Sequence, residues 1–221
     1  MNRADVIATD NVPRPAWQMY RAMVGVGVVC ALLIVAVYLT TFDVIARKQL
    51  AALEQAVLEV VPGAASFARY DDMAQPVYAA FDARGELAGI ALEAQGMGYQ
   101  DTVRILYGYD PAREQVVGMR VLQSRETPGL GDRVETDPSF RANFAALDVR
   151  LSADGAHLRH PVQLVKPGEK TAAWQIDAIS GATITSTAIA TMLADSAAVW
   201  VPRLHARRAE FVYAGETVHG D

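Results

Sequence analysis

Cysteine is nearly absent from this chain of 221 residues: Cys30 is the only one, and it lies within an apolar run. A single cysteine forms no intrachain disulfide, and it supplies too few thiolates for a zinc finger or a cysteine-ligated iron–sulfur cluster. The four histidines lack metal-ligand spacing such as H-x-x-x-H, so we expect no metal site and ordinary surface or loop positions for His157, His160, His205 and His219. Any electron-carrying role would need an organic cofactor.

Nucleotide loops and an excess of basic side chains are missing too. Neither G-x-x-x-x-G-K-[ST] nor G-x-G-x-x-G occurs in the sequence, so neither standard loop for nucleotide phosphates is present. The 20 basic and 25 acidic side chains give a net charge of −5 without a basic stripe, and we therefore expect no nucleic-acid partner. No residue is assigned a catalytic role, and we expect no complete active site in this chain alone.

Residues 22–42 contain no charged side chain. A helix of about 20 residues crosses the roughly 30 Å hydrocarbon core of a bilayer, so this run predicts one transmembrane helix. A cleaved signal peptide is the alternative interpretation, but its apolar region is only about 7–15 residues long and ends at a small-residue cleavage site. We therefore expect an uncleaved, single-pass anchor in a lipid bilayer.

Basic residues on the two sides of this run are nearly balanced. Three arginines precede it, whereas Arg47 and Lys48 follow it closely. The slight excess before the run favours a cytoplasmic N-terminus for residues 1–21. Residues 43–221 would then form one extracytoplasmic domain, periplasmic in a bacterium whose inner membrane holds the anchor.

The chain after the anchor predicts an α+β domain. Apolar positions over residues 44–61 recur at helical spacing, and we interpret this segment as a helical stalk that ends at Pro62-Gly63. A second helical pattern follows Ser186 and would be broken at Pro202, with a basic tail beyond it. Short apolar runs between these helices predict a mostly antiparallel sheet, with strands at 77–81, 87–92, 103–109 and 116–122.

Two glycine-containing stretches are candidates for ligand contact. Residues 96–99 (GMGY) are either a plain connection between strands or a loop that approaches a ligand, with Tyr99 available to stack on a ring. Residues 126–131 (ETPGLG) place Pro128 and Gly129 in the order that a type II turn requires, because proline fixes φ at about −65° and glycine accepts a positive φ. Turn chemistry alone needs no function.

Residues 177–186 (DAISGATITS) place small and hydroxyl side chains directly before a helical pattern. Hydroxyl residues there favour the N-cap, and the first turn of a helix offers free N–H groups and the positive end of the dipole. Such an end suits a phosphate, and Gly181 and Ala182 leave room for a bulky ligand. From the residues alone, a simple helix cap and a phosphate site are both open.

The segment D-A-I-S-G-A-T at residues 177–183 resembles the flavinylation motif D-x-x-[ST]-G-A-T of the FMN-binding domain family. That family includes the G subunit of Rnf electron-transport complexes and the C subunit of sodium-pumping NADH:quinone reductases. In it, a dedicated flavin transferase joins FMN through its phosphate to the final threonine of the motif. The resemblance implies covalent FMN on Thr183, with a cofactor site that includes Asp177, Ser180, Gly181, Ala182 and Thr185.

The segment E-T-P-G-L-G at residues 126–131 is similar to a second signature of the same family, whose loop lies near the flavin. The resemblance implies that the Thr127 hydroxyl bonds to the ring edge and that Leu130 covers one face. Backbone at Gly129 and Gly131 would approach the ring closely. Glu126 would orient the loop without donating a proton.

Three further positions follow from the same comparison. Gly98 and Tyr99 are candidates of second rank, because the family often has a Gly-Tyr element at the corresponding place. The family commonly has a histidine just before the glutamate, whereas this chain has Ser124 and Arg125. No histidine role is carried over, and Arg125 is instead a candidate to favour an anionic reduced flavin.

Aromatic residues outside the two motifs are assigned mainly to packing. Phe140 and Phe144 are at helical spacing and are expected in the core. Trp174 is either a core strand residue or a flavin neighbour.

The layout over nearly the whole chain is similar to the G subunit of an Rnf complex. This implies a membrane-anchored electron-transfer subunit of an ion-translocating ferredoxin:NAD oxidoreductase, whose partner subunits supply the ion path and the nicotinamide site. A related flavin subunit of a sodium-pumping NADH:quinone reductase, or of another extracytoplasmic redox chain, is the alternative. Outside redox chemistry, the alternative is a membrane-tethered binding or scaffold module without flavin.

Overall fold

The computed structural model describes residues 16–212. The predictions for residues 1–15 and for His219 concern positions outside this range. The chain divides into two compact units, Met1–Leu50 and Ala51–Asp221, and each is described by itself.

Helix α1 (Ala16–Val60) contains the apolar run found in the sequence. All side chains of residues 22–42 are exposed, and by length and composition the helix can cross a membrane. Its last turns belong to the second unit, where Ala56, Val57 and Val60 are buried. The part predicted as a stalk therefore ends in contact with the folded domain.

A six-stranded sheet forms the centre of the second unit, and each strand pairs antiparallel with the next along the chain. The four predicted strands are confirmed as its second to fifth members. Two strands were not predicted, because one carries polar side chains and the other has only two residues. The strands are β1 (Ser66–Tyr70), β2 (Val77–Phe81), β3 (Leu87–Met97), β4 (Thr102–Asp110), β5 (Gln115–Gln123) and β6 (Leu147–Asp148).

Aspartates close two of the turns between these strands. The Asp82 carboxylate accepts the N–H groups of Arg84 and Glu86 at 2.8 and 2.9 Å, which builds the predicted hairpin. The Asp110 carboxylate likewise accepts the N–H groups of Ala112 and Arg113 at 2.8 and 3.1 Å. The prediction that residues 96–99 form one loop is partly wrong, since β3 continues through Met97 and the loop begins at Gly98.

Both faces of the sheet are covered. Along β2, Val77, Ala79 and Phe81 face one core, and Tyr78 and Ala80 face the other. The alternation follows from the two-residue period of a strand. One core contains the last turns of α1, and the other contains the C-terminal helix α4 (Thr183–Arg207). The α+β class with flanking helices is confirmed.

Two glycines on neighbouring strands make room for the end of α1. Gly108 and Gly118 are directly paired between β4 and β5. A Cβ atom on either one would collide with the backbone carbonyl of Val60. The helix can approach the sheet at this point only because both positions lack a side chain.

Short elements connect the sheet to α4: α2 (Arg133–Thr136), α3 (Pro138–Ala142), and two parallel strands, β7 (Gln163–Val165) and β8 (Gln175–Asp177). Phe140 and Phe144 are buried with their ring centroids 5.3 Å apart, as predicted. Trp174 is half-buried and stacks on His160, with the two ring centroids 3.9 Å apart.

The prediction that Pro202 breaks the last helix is wrong. Helix α4 continues to Arg207 with Pro202 inside it. Val201 and Leu204 on either side are fully buried, so packing against the sheet holds the last turns despite the missing N–H group. For the same reason His205 lies on a helix and not in a loop, and its Nδ1 is 3.5 Å from the Glu114 carboxylate.

Candidate functional site

Thr183 is the first residue of α4, and its side chain is exposed. The residue before it, Ala182, occupies the N-cap position and makes no side-chain cap. The expectation that a hydroxyl residue caps this helix is therefore wrong. Gly181 has φ +84°, a conformation that favours glycine, and this turn brings the chain into the helix.

The next three hydroxyl groups along α4 are already engaged. Thr185 Oγ1 donates to Glu126 at 2.6 Å, and Ser186 Oγ donates to the Ala182 carbonyl at 2.9 Å. Thr187 Oγ1 donates to the Thr183 carbonyl at 2.7 Å. In the part of the chain that the structure describes, the Thr183 hydroxyl has no protein hydrogen bond. Thr183 is thus the residue of this helical turn whose hydroxyl is both exposed and free.

A cavity of about 270 Å³ lies beside Thr183. Three exposed apolar side chains stand around it, with exposed fractions of 65% for Tyr99, 53% for Leu130 and 56% for Ile184. Exposed apolar side chains that converge on a cavity are typical of a ligand site. The lining consists of Tyr99, Leu130, Gly131, Gly181, Ala182, Thr183, Ile184 and Thr185. Seven of these were predicted; Ile184 was missed because it lies in the first helical turn, where only hydroxyl and small residues were considered.

Glu126 lies behind this cavity and is 7% exposed. Its carboxylate accepts the hydroxyl of Thr185 at 2.6 Å and the N–H groups of Gln100, Tyr99 and Asp101 at 3.0, 3.1 and 3.5 Å. One side chain therefore joins the segment after β3 to the first turn of α4.

The hydrogen bonds around Glu126 decide its ionisation. Burial acts to raise the pKa of Glu126, but the Thr185 hydroxyl and the N–H groups of Gln100, Tyr99 and Asp101 outweigh it, so the pKa lies below its ordinary value. Glu126 is ionised at neutral pH. This agrees with the expected role as an orienting group without proton donation.

Gly98 and Gly131 leave the space that the Glu126 side chain fills. A Cβ atom on Gly98 would lie 2.5 Å from Glu126 Oε1. A Cβ atom on Gly131 would collide with the same carboxylate and lie 3.0 Å from Thr185 Oγ1. This packing requires glycine at both positions, although only Gly131 lines the cavity.

Residues 127–130 form the predicted turn. The Leu130 N–H group bonds to the Thr127 carbonyl at 3.1 Å, and Gly129 has φ +79°. The Thr127 hydroxyl donates to Gln100 Oε1 at 3.0 Å, and the Gly129 N–H group donates to Asp132 at 2.7 Å. Thr127 and Gly129 are outside the cavity lining, so their contacts hold the loop.

Arg133 was missed by the sequence reasoning, although it follows the E-T-P-G-L-G segment by two positions. Its Nη1 donates to the Ser180 carbonyl at 2.7 Å, and its Nη2 donates to Asp137 at 3.2 Å. Arg133 thus connects the two motifs directly, and among the described residues no other side chain forms a hydrogen bond with the Ser180 backbone. Arg125, by contrast, pairs with Asp101 at 3.3 Å and is largely exposed.

Asp177 lies away from the cavity lining and accepts the Lys170 N–H group at 3.1 Å. Asn143, which was not predicted, holds the backbone of the same residue: Oδ1 accepts the Asp177 N–H group at 3.1 Å and Nδ2 donates to its carbonyl at 3.3 Å. Asn143 is 5% exposed. These two side chains fix the chain just before the I-S-G-A-T segment.

The arrangement fits a flavin phosphate. A free hydroxyl, an uncapped helix end and a guanidinium lie close along one short segment, and each of them suits an anion or its ester. The adjoining apolar cavity suits part of an aromatic ring system.

Comparison with known proteins agrees with this geometry. A model of the FMN-binding domain matches residues 98–198, a range that includes both motifs and the whole cavity lining. The G subunit of the ion-translocating oxidoreductase complex from Methanosarcina acetivorans is 33% identical over 175 residues, which cover 76% of this chain and 85% of that protein. The chain belongs to this family of G subunits.

Further similarities concern sequence and fold. The G subunit from Shewanella amazonensis is 29% identical over 177 residues, which cover 73% of this chain and 77% of that protein. The crystal structure of NqrC from Shewanella oneidensis superposes with a TM-score of 0.51 at 23% identity, over 67% of this chain and 72% of NqrC. At that identity the similarity to NqrC shows a shared fold. This member of the G-subunit family therefore has the fold expected from its two motifs.

Proposed function

We propose that this chain is a membrane-anchored electron-transfer subunit of an ion-translocating ferredoxin:NAD oxidoreductase and carries FMN esterified to Thr183. The observation that carries the proposal is the Thr183 hydroxyl, which is exposed and free beside an apolar cavity at the start of α4. The match to an FMN-binding domain and the names of the related proteins support it.

Thr183 would supply the ester oxygen. Joining Thr183 Oγ1 to phosphorus releases the hydroxyl proton and displaces a leaving group from an activated flavin phosphate, which a flavin transferase would deliver. The uncapped N–H groups at the start of α4 and the helix dipole would face the remaining negative charge. Tyr99, Leu130 and Ile184 would contact the ring. When bound, FMN supplies the one-electron and two-electron chemistry.

The proposal places residues 22–42 across the bacterial inner membrane once, with the N-terminus in the cytoplasm. Residues 43–221 would lie in the periplasm. The ion path and the nicotinamide site would belong to partner subunits, because residues 22–42 have no charged side chain and the chain has no nicotinamide loop.

The attachment is tested by intact mass and peptide mapping of the protein from a host that has the transferase. We expect a mass increase of one FMN residue on the peptide that contains Thr183, with flavin fluorescence in a denaturing gel. Thr183→Ala should abolish both signals while the protein still folds, because Thr183 is exposed and makes no cap.

Thr187→Ala is the matched control, since Thr187 is exposed on the same helix one turn later. It should retain the flavin. Covalent FMN on Thr183→Ala would refute the assignment, and a colourless wild-type protein would favour a binding or scaffold module.

The orientation is tested by protease treatment of intact spheroplasts. Residues 43–221 should be degraded while the inner membrane remains closed. Protection until the membrane is opened would contradict the periplasmic assignment.

A further inference from the structure

Arg133 lies where the two motifs meet. It is the first residue of α2, and its own N–H group bonds to the Leu130 carbonyl at 3.3 Å. Its side chain reaches the other motif, where Nη1 donates to the Ser180 carbonyl. A Cβ atom at Gly181 would be 3.8 Å from the same nitrogen. The guanidinium is therefore beside the turn that leads into Thr183.

The guanidinium retains capacity for another acceptor. Arginine has five N–H donors in a planar fork. In the described chain two hydrogen bonds of Arg133 are made, to Ser180 and to Asp137, and the side chain is 42% exposed. The other three N–H donors have no protein acceptor among the described residues.

Asp137, the acidic partner of Arg133, also accepts hydrogen bonds from other groups. It caps α3 by accepting the N–H groups of Ser139 and Phe140, and the Ser139 hydroxyl donates to it at 2.5 Å. The hydrogen bond from the Ser139 hydroxyl contributes most to lowering the pKa of Asp137. The N–H groups of Ser139 and Phe140 and the guanidinium of Arg133 add to it, so the pKa lies below its ordinary value. One carboxylate oxygen of Asp137, Oδ1, therefore accepts the donors of α3, and the other, Oδ2, accepts from Arg133.

We infer that Arg133 is a positioning residue for the flavin phosphodiester: it fixes the Ser180–Gly181 turn and places a positive charge beside the phosphate on Thr183. The inference rests on the proposed attachment at Thr183. Arg133 would then have two separable roles: a hydrogen bond to the protein and an ionic contact to the cofactor. No other guanidinium in the described chain bonds to residues 177–183.

Substitutions of Arg133 separate the hydrogen-bonding role from the ionic role. Arg133→Gln keeps N–H donors without the charge, whereas Arg133→Lys keeps the charge without the planar fork. Arg84→Gln is the control, because Arg84 is exposed and its ion pairs among the described residues are with Asp82 and Glu86 in the hairpin between β2 and β3.

The experiment compares apo and flavin-loaded forms of the full-length protein in detergent, prepared without and with the transferase. For each variant, the melting temperature of the apo form is subtracted from that of the loaded form. This difference cancels any purely structural effect of the substitution, since both forms carry it. The gain on loading should be smaller in Arg133→Gln than in the wild type by about 3–12 °C, the scale of one charge-assisted hydrogen bond in a domain of this size.

Arg133→Lys should retain most of the gain, and Arg84→Gln all of it. High salt should reduce the wild-type gain, because the Debye length is only about 3 Å at 1 M. If Arg133→Gln fails to fold, the salt dependence of the wild-type gain decides between the two outcomes.

Equal gains on loading in wild type and Arg133→Gln would overturn the inference. If the glutamine variant does not fold, a wild-type gain that is independent of salt would overturn it. Either result leaves the attachment of FMN to Thr183 intact. A wild-type protein without flavin on Thr183 would overturn both, and peptide mapping of the loaded sample distinguishes the two cases.

Discussion

Replacing Glu126 should loosen the wall of the candidate site more than any other single change in the E-T-P-G-L-G loop. Its carboxylate accepts from Thr185, Tyr99, Gln100 and Asp101, and it is almost fully buried. In Glu126→Ala these donors lose a charged acceptor inside the protein. Hydrogen bonds to charged groups contribute roughly 1.5–3 kcal/mol each and are not additive, so we expect a loss of about 3–5 kcal/mol in the free energy of unfolding.

Glu126→Gln should lower the free energy of unfolding by less, about 1.5–3 kcal/mol, because the amide keeps one oxygen acceptor. A loss remains because its NH₂ group faces N–H or O–H donors. The assay is thermal unfolding of the full-length protein in detergent. A change of 1 kcal/mol shifts the melting temperature by about 2–4 °C at this size, so the alanine variant should melt roughly 6–20 °C lower. The control is Glu86→Ala, since Glu86 is an exposed hairpin residue.

The pH dependence gives an independent check on Glu126. Because its folded-state pKa is lowered, the unfolded chain binds the proton more readily, and ionised Glu126 stabilises the fold above the ordinary glutamate pKa of about 4.3. This contribution is lost as the pH falls through the folded-state pKa. Wild type should therefore lose stability below about pH 4.3 more steeply than Glu126→Gln. A melting temperature of Glu126→Ala within about 2 °C of wild type, less than the shift for 1 kcal/mol, would refute the reasoning.

Other substitutions test the packing around the site. Gly131→Ala should destabilise the protein by about 1–3 kcal/mol in thermal unfolding, because the new Cβ collides with Glu126; unchanged stability would contradict that packing. Gly108→Ala should cost at least as much, since its Cβ meets the Val60 carbonyl, and near-UV circular dichroism should report the altered core. Asn143→Ala should cost about 1–3 kcal/mol through the unpaired backbone of Asp177, and Asn143→Asp should not restore the hydrogen bond to its carbonyl.

The sheet was predictable because its signals are local. Strands β2 to β5 are short apolar runs, and their turns carry Asp82 and Asp110 at positions where a carboxylate can accept N–H groups two residues on. The type II turn was predictable for the same reason, since Pro128 and Gly129 are adjacent. Strand β6 has two residues, and no local pattern marks it.

The errors and omissions have non-local causes. Pro202 is retained within a helix because its neighbours are buried against the sheet, which outweighs the local preference. The expected hydroxyl cap failed because the helix begins at Thr183 itself, leaving Ala182 at the cap. Arg133 and Asn143 act through contacts to residues far along the chain, and no spacing rule in a single sequence identifies such partners.

The ties from Glu126 to Thr185 and from Arg133 to Ser180 consist of protein groups alone. The surroundings of Thr183 are consequently preorganised, and a cofactor attached there would cost little additional ordering of the chain. A modifying enzyme would meet a folded acceptor, and among Thr183, Thr185, Ser186 and Thr187 only the Thr183 hydroxyl has no hydrogen bond in the described structure.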